Sequence, residues 1–246
     1  MDFKVQWHDS LPSTNSRLKT MLAETPDLPH GTVVAARSQT AGRGRHDRVW
    51  ASAPGQDLAC SILIRPGDVP PEWLPSLLMG SALAVVDALT RFGVAGRLKW
   101  PNDVLSQGKK ICGMLSEWAP GEGGSGLAVI MGIGVNVNMP LEMLAAIDRP
   151  ATSILAETGA SASVEAVLEA LLAALPPRLD AWQCHGFEGL RDAWDLHAYG
   201  LGLPVTVEEG DTQKTGVMVG LDELGALRMR HVDGQEERIL LGDVLF

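Results

Sequence analysis

The last fifth of the chain differs in character from the rest, and this change restricts the folds open to it. After Gly200, four short segments of apolar and β-branched residues are separated by turns that contain glycine and aspartate. Segments of this length joined by such turns are typical of a small all-β unit. The sequence therefore predicts two domains, residues 1–199 and residues 200–246. The predicted C-terminal strands cover residues 203–208, 213–221, 226–231 and 235–241.

The first 199 residues mix strand and helix patterns, which predicts an α+β fold. Ser13 or Thr14 is a suitable N-cap for a helix over residues 16–24. Longer helices are expected over residues 74–92 and 164–175, the second ending or kinking at Pro176 and Pro177. Residues 121–126 are glycine-rich and predict a hairpin turn. The predicted strands cover residues 3–7, 32–36, 58–64, 97–100, 109–118 and 127–138.

Composition excludes several classes of protein. The chain has 246 residues and a formal net charge of −10, whereas a dedicated nucleic-acid binder usually shows a basic face. The N-terminus lacks the pattern of a signal peptide, and the longest apolar run, residues 77–86, is too short to span a bilayer. Three widely spaced cysteines suggest neither a disulfide framework nor a zinc site. We expect a cytoplasmic protein without a membrane segment.

One stretch runs against this acidic composition. Residues 39–50 read Gln-Thr-Ala-Gly-Arg-Gly-Arg-His-Asp-Arg-Val-Trp, and together with Arg37 they carry a local charge of +3. Nothing local offsets these cations, whereas an anionic ligand would. Glycines let a backbone bend around such a ligand, and arginines offer paired donors to carboxylate or phosphate. A solvated basic loop is the alternative. We refer to residues 39–50 as the arginine loop.

Two further segments carry polar residues at positions where a sheet is expected. Pro101 should interrupt a strand and place Asn102 and Asp103 in a turn, either as simple turn formers or as a carboxylate beside Lys99. Strand alternation predicts that Lys110 shares an apolar face with Cys112 and Met114, where a lysine requires an anion or a route to water. Cys112 is interpreted as a core residue because no histidine lies near it in sequence.

These segments occur in one order along the chain: Ser13-Thr14-Asn15, the arginine loop, Lys99-Trp100-Pro101-Asn102-Asp103, Lys109-Lys110-Ile111-Cys112-Gly113 and Gly132-Ile133-Gly134-Val135-Asn136. The set resembles the biotin protein ligases, or biotin–[acetyl-CoA carboxylase] ligases, over nearly the whole chain. The resemblance implies a mixed β-sheet with flanking helices, as in lipoate ligases and class II synthetase cores, followed by an SH3-like barrel. It also implies ATP-dependent formation of biotinyl-5′-AMP, with Mg²⁺, and transfer of biotin to a lysine of a biotin carboxyl carrier domain.

The resemblance also assigns roles to residues. Lys110, Arg45 and Asp103 would be catalytic, Asp103 positioning the incoming lysine or holding Mg²⁺. ATP would contact Arg43, Arg48, Trp50, Lys99, Asn102 and Asn136. Biotin would contact Ser13, Thr14, Asn15, Gln39, Gly42, Arg43, Gly44, Arg45, Lys110 and Gly113.

One position departs from the family pattern, and two rival functions stay open. Position 47 is aspartate where the family loop usually has glycine, which affects the closing geometry of the arginine loop. A lipoate or octanoate ligase or transferase would need a long apolar tunnel, whereas Ser13, Thr14 and Gln39 favour biotin. A biotin- or nucleotide-responsive regulator would carry a DNA-binding domain, and only twelve residues precede Ser13. We therefore expect no DNA binding, and leave monomer or homodimer open.

Overall fold

A mixed seven-stranded sheet forms the body of the molecule. The computed structural model describes residues 1–119 and 127–246, except the side chain of Asp47, so the glycine-rich segment 121–126 lies outside the described residues. The sheet order is β1-β2-β3-β7-β6-β5-β4, with β1 and β2 parallel and all other neighbours antiparallel. These strands are β1 (Lys4–His8), β2 (Thr32–Ala36), β3 (Leu58–Ile64), β4 (Arg97–Lys99), β5 (Asp103–Ser106), β6 (Lys109–Ala119) and β7 (Ala128–Val135).

The two faces of this sheet have different roles. Cys60 pairs with Ile133 on the face covered by helices, and both are in the main hydrophobic core. The next pair along, Ser61 and Gly132, points the opposite way because strand side chains alternate. Part of that second face is covered by the first helix, and the remainder borders a cleft. The helices are α1 (Thr14–Glu24), α2 (Leu77–Thr90), α3 (Leu141–Ala145), α4 (Ile154–Thr158), α5 (Val164–His185) and α6 (Arg191–His197).

Helices α2 and α5 pack on each other over the core face. By length and composition alone, Pro71–Thr90 could cross a membrane, but two thirds of it is buried inside this protein (67%). It is therefore accounted for as a core helix. Of the two alternatives expected at Pro176 and Pro177, an end to the helix is wrong, because α5 continues through both to His185. Packing of the apolar face of α5 against α2 outweighs the hydrogen bonds that the prolines cannot make.

The C-terminal segment forms a second, five-stranded antiparallel sheet, in the order β11-β10-β9-β8-β12, in agreement with the expected SH3-like unit. The core is continuous between the two sheets and includes Val205 and Leu227. Trp100 Nε1 donates a hydrogen bond to the Gly225 carbonyl across this contact, at 3.1 Å. Local sequence patterns predicted four of these strands but not the last. They are β8 (Pro204–Glu209), β9 (Thr212–Leu221), β10 (Leu227–Arg230), β11 (Glu236–Ile239) and β12 (Asp243–Leu245).

Candidate active site

A network of uncharged polar side chains lies at the N-terminus of α1. Ser13 is the N-cap, and its Oγ accepts the Ser16 N–H. Gln39 Oε1 accepts hydrogen bonds from the Thr14 N–H at 2.9 Å and the Thr14 hydroxyl at 3.2 Å. Ser61 Oγ lies 2.7 Å from Thr14 Oγ1 and 2.5 Å from Asn15 Oδ1. We call Thr14, Asn15, Gln39 and Ser61 the neutral cluster. Its members fix one another's orientation before any ligand binds.

Glycines on the site face of the sheet allow two side chains to lie directly on the backbone. A Cβ at Gly132 would overlap Asn15 Oδ1, and one at Gly134 would overlap the Trp50 indole. A Cβ at Gly113 would lie 2.8 Å from Trp50 Cζ3 and 2.9 Å from Lys110 Cε. The family resemblance implies a contact between Gly113 and biotin. In the structure, Gly113 makes room for Trp50 and Lys110.

The arginine loop is closed by its own backbone. Trp50 N–H donates to the Gly42 carbonyl at 3.0 Å, and Gly44 N–H donates to the Arg48 carbonyl at 2.7 Å. Gly42 is needed for this approach, because a Cβ there would lie 2.7 Å from the Trp50 carbonyl oxygen. The left-handed residue of the loop is His46, with φ 53°, which is the neighbour of the position where the family usually has glycine.

Among the described side chains, the loop cations have no counter-ion from the loop itself, but distant segments of the protein supply carboxylates to them. Arg43 Nη2 lies 2.7 Å from Glu117 Oε2. Asp243 bridges the other two, with Oδ1 3.1 Å from Arg45 Nη1 and Oδ2 2.5 Å from Arg48 Nη1. Both carboxylates come from distant segments, so no local sequence pattern revealed them. Arg37 is also paired, with Glu165 at 2.8 Å.

The prediction that Lys110 shares a strand face with Cys112 and Met114 is wrong. Leu105 pairs with Lys110 while Val104 pairs with Cys112, so Ile111 is an extra residue in β6 and forms a β-bulge. The bulge turns Lys110 to the site face, whereas Cys112 and the following Met114 stay in the core. Lys110 Nζ lies 2.6 Å from Asp103 Oδ1 and 5.5 Å from the Trp50 ring centroid. Its anion is therefore a protein carboxylate, Asp103, which is the first residue of β5.

The segment after α3 closes the cleft beside Lys110. Lys110 N–H donates to the Pro150 carbonyl, and Thr152 N–H donates to the Lys110 carbonyl, both at 2.9 Å. Asn136 Nδ2 donates to the Thr152 carbonyl at 2.9 Å, while its buried Oδ1 has no hydrogen-bond partner among the described residues. Burial, opposed in part by Asp103, lowers the pKa of Lys99.

These parts surround one cleft of about 550 Å³. Of the sixteen residues predicted for the site, the structure brings all except Gly42 to its lining.

Cys112 is fully buried in the core, and burial raises the pKa of its thiol well above the usual range, so it is no nucleophile. Three residues of the site were not predicted from the sequence: Ser61, Glu117 and Asp243. Ser61 had a signal, as a lone polar residue inside an apolar strand; Asp243 had none, because its strand was not predicted.

Comparison with known proteins identifies the family to which the chain belongs. A model of the biotin/lipoate A/B protein ligase family matches residues 7–136. The chain belongs to that family. A biotin–[acetyl-CoA-carboxylase] ligase of Paracoccus denitrificans is 36% identical over 238 residues, which cover 92% of this chain and 95% of that protein. The bifunctional ligase/repressor BirA of Bacillus subtilis is 33% identical over 230 residues, which cover 93% of this chain and 70% of that protein.

A solved structure of the family agrees over nearly the whole length. The biotin protein ligase from Aquifex aeolicus in complex with biotin and ATP has a TM-score of 0.82 and 30% identity, covering 98% of this chain and 97% of that chain. The match includes the C-terminal sheet. The family resemblance and the fold inferred from the sequence are thus confirmed.

Proposed function

We propose that this protein is a biotin protein ligase that activates biotin with ATP and transfers it to a lysine of a carrier protein. The observation that carries the proposal is the cleft itself: Thr14, Asn15 and Gln39 of the neutral cluster line it together with the cations Arg45, Arg48, Lys99 and Lys110. Biotin has an uncharged ureido ring at one end and a carboxylate at the other. The named relatives and the Aquifex complex support the same reaction.

In the first step, a biotin carboxylate oxygen bonds to the α-phosphorus of ATP, and the bond to the departing pyrophosphate breaks. Two anions must approach each other, so cations around the reacting atoms lower the barrier. We assign this role to Lys110 and the guanidinium groups of Arg43, Arg45 and Arg48. Trp50, Lys99, Asn102 and Asn136 would lie around the nucleotide. Ser13, the neutral cluster, Gly44 and Gly113 would surround the biotin ring and tail.

Magnesium supplies charge neutralisation of the phosphates when bound. The residues present fit an ion that takes most of its ligands from ATP and water. Asp103 offers a carboxylate in the cleft, and Asn136 offers a buried carbonyl oxygen with no partner among the described residues. The described residues contain no cluster of three or more His, Cys, Asp or Glu ligands, so a metal bound without the nucleotide is not expected.

In the second step, the amine of the carrier lysine attacks the biotinyl carbonyl carbon, an amide bond forms and AMP leaves. The amine must lose a proton to act as nucleophile. We assign its positioning to Asp103, whose side chain is 16% exposed in the cleft and paired with Lys110. No enzyme nucleophile is required, which agrees with the burial of Cys112 in the core.

One assay tests the proposal. The protein is incubated with ATP, magnesium, labelled biotin and a biotin carboxyl carrier domain, and label on the carrier is measured, with labelled lipoate as the competing substrate. We expect ATP-dependent labelling with biotin and little with lipoate, because the neutral cluster offers polar partners that a fatty acyl chain does not use. Labelling with lipoate alone would contradict the proposal.

Three further expectations belong with this function. We propose that residues 1–199 form the ligase domain and residues 200–246 the C-terminal β domain. We expect no site-specific complex with DNA in an anisotropy titration at physiological salt with biotin and ATP present. Sedimentation velocity would decide between monomer and homodimer.

A further inference from the structure

The C-terminal sheet reaches into the cleft at one residue. Asp243 begins β12, lines the cleft, and has a side chain only 13% exposed. Its two carboxylate oxygens hold two different guanidinium groups, those of Arg45 and Arg48. Arg45 Nη1 also donates to the Gly242 carbonyl at 3.2 Å and to Asn102 Oδ1 at 3.3 Å. One cation is thus held between the two sheets of the molecule.

Asp243 keeps two like charges together at the cleft. Arginine side chains have many rotamers, and ordering them costs free energy that a ligand must otherwise supply. Two guanidinium groups side by side also repel each other unless an anion lies between them. Burial alone would raise the pKa of Asp243, but the hydrogen bond from Arg48 and the charge of Arg45 lower it, so the carboxylate is ionised at neutral pH.

We propose that Asp243 is a positioning residue for ATP: it holds Arg45 and Arg48 in the orientation in which they receive the phosphates. The C-terminal sheet would thereby contribute to nucleotide binding through two residues of the body. This inference rests on the proposed ligase function, and concerns only how the ATP side of the cleft is organised.

The test compares Asp243→Asn with a matched control in the same sheet. Glu236 also bridges two arginines, with Oε2 2.5 Å from Arg228 Nη2 and Oε1 2.8 Å from Arg230 Nη2, and it does not line the cleft. We expect Asp243→Asn to raise the KM for ATP about tenfold and to change the KM for biotin less than about twofold, as loss of one charge-assisted contact predicts. Glu236→Gln should leave both KM values unchanged. Asp243→Glu should recover part of the loss.

A double-variant cycle separates positioning from support of the fold. In an Arg48→Ala background, Asp243→Asn should add less than its effect in the wild type on the KM for ATP, because one of its two arginine partners is already gone. Melting temperatures of Asp243→Asn and Glu236→Gln should agree.

Three results would overturn the inference. An unchanged KM for ATP in Asp243→Asn would show that the arginines need no positioning, and a lowered KM would show that Asp243 competes with the phosphates. Equal rises in both KM values together with a lower melting temperature would show a purely structural role. The wild-type enzyme is assayed in parallel. If it releases no pyrophosphate from ATP and biotin, the proposed ligase function is wrong. If it turns over normally, the change in KM is due to the substitution of Asp243.

Discussion

The two groups of polar residues around the cleft are stabilised in different ways. In the neutral cluster, Thr14, Asn15, Gln39 and Ser61 bond to one another through uncharged groups, and Asn15 Nδ2 also donates to the Glu117 carboxylate at 2.8 Å. Thr14 and Asn15 are buried. On the charged side, each cation of the arginine loop and Lys110 is paired with a carboxylate from another segment. The neutral cluster is complete without ligand, whereas the charged side must share or exchange counter-ions when an anionic substrate binds.

This difference predicts different consequences of mutation. Removing a neutral hydrogen bond leaves a buried polar atom without a partner, which costs binding and folding together. Removing one charge on the charged side leaves its ion-pair partner unpaired, and it also changes the electric field at the reacting atoms. Its main effect should therefore be on the reaction rate.

The largest effect is expected for Lys110→Met. We expect pyrophosphate release to fall by about 100-fold or more, because the cation nearest Asp103 is lost from the cleft. The melting temperature should fall by about 2–4 °C, since the partly buried Asp103 carboxylate loses its partner. Adding Asp103→Asn should restore the melting temperature and leave the activity low. Lys109→Met, at the exposed neighbouring lysine of β6, is the control and should retain activity; full activity in Lys110→Met would refute the role of Lys110.

Arg45→Gly should next most strongly affect retention of the adenylate. Loss of a charge-assisted contact corresponds to about tenfold to hundredfold faster release of biotinyl-5′-AMP. The measurement is biotin label on a bystander protein such as serum albumin, with first-turnover pyrophosphate release followed in parallel. Arg37→Gly, whose partner Glu165 does not line the cleft, is the control. If Arg45→Gly forms adenylate but labels bystanders no more than wild type, Arg43 or Arg48 becomes the candidate for retention.

Ser61→Ala should have a moderate effect confined to biotin. Asn15 Oδ1 loses its contact with the Ser61 hydroxyl, and we expect the KM for biotin to rise about fivefold while the KM for ATP is unchanged. Ser81→Ala, at a buried serine in α2 that contacts only the Leu77 carbonyl among the described hydrogen bonds, is the matched control. Similar rises in both KM values would mean that Ser61 supports the whole sheet face.

The smallest effect is expected for Glu117→Gln. The Arg43 partner is 44% exposed, and exposed ion pairs contribute little. We expect the KM for biotin to change about twofold or less, with the residual difference disappearing at high salt. Asn15 Nδ2, a donor to Glu117 Oε2, can still donate to the glutamine carbonyl oxygen. If Glu117→Gln changed the KM for biotin as much as Ser61→Ala does, Glu117 would act mainly as a partner of the neutral cluster.

Much of the fold followed from local patterns, because hydrophobic periodicity, N-caps and turn residues act over a few positions. Strand β3 and helix α1 were predicted nearly to their ends for this reason. The β-bulge at Ile111 was not predictable, since it depends on which residue of β5 lies opposite, and it reversed the assignment of Lys110. Strand β12 was missed because three residues are too few for an alternating pattern.

The candidate site residues came from the family resemblance, whereas their partners came only from the structure. Glu117 and Asp243 lie 74 and 198 residues from the arginines that they contact. No spacing rule joins segments that far apart. The sequence could therefore indicate that cations gather in the arginine loop, but it could not indicate that the protein supplies counter-ions to them.

The glycines beneath Trp50 and Asn15 have a consequence for variation at these positions. A single methyl group at Gly134 would occupy the space of the indole, so Gly134 cannot gain a side chain unless Trp50 becomes smaller. A suppressor screen starting from Gly134→Ala should recover smaller residues at position 50 rather than changes elsewhere on β7. At the floor of the cleft, the size of each side chain is thus set by the glycines on which it lies: Gly132 for Asn15, and Gly113 and Gly134 for Trp50.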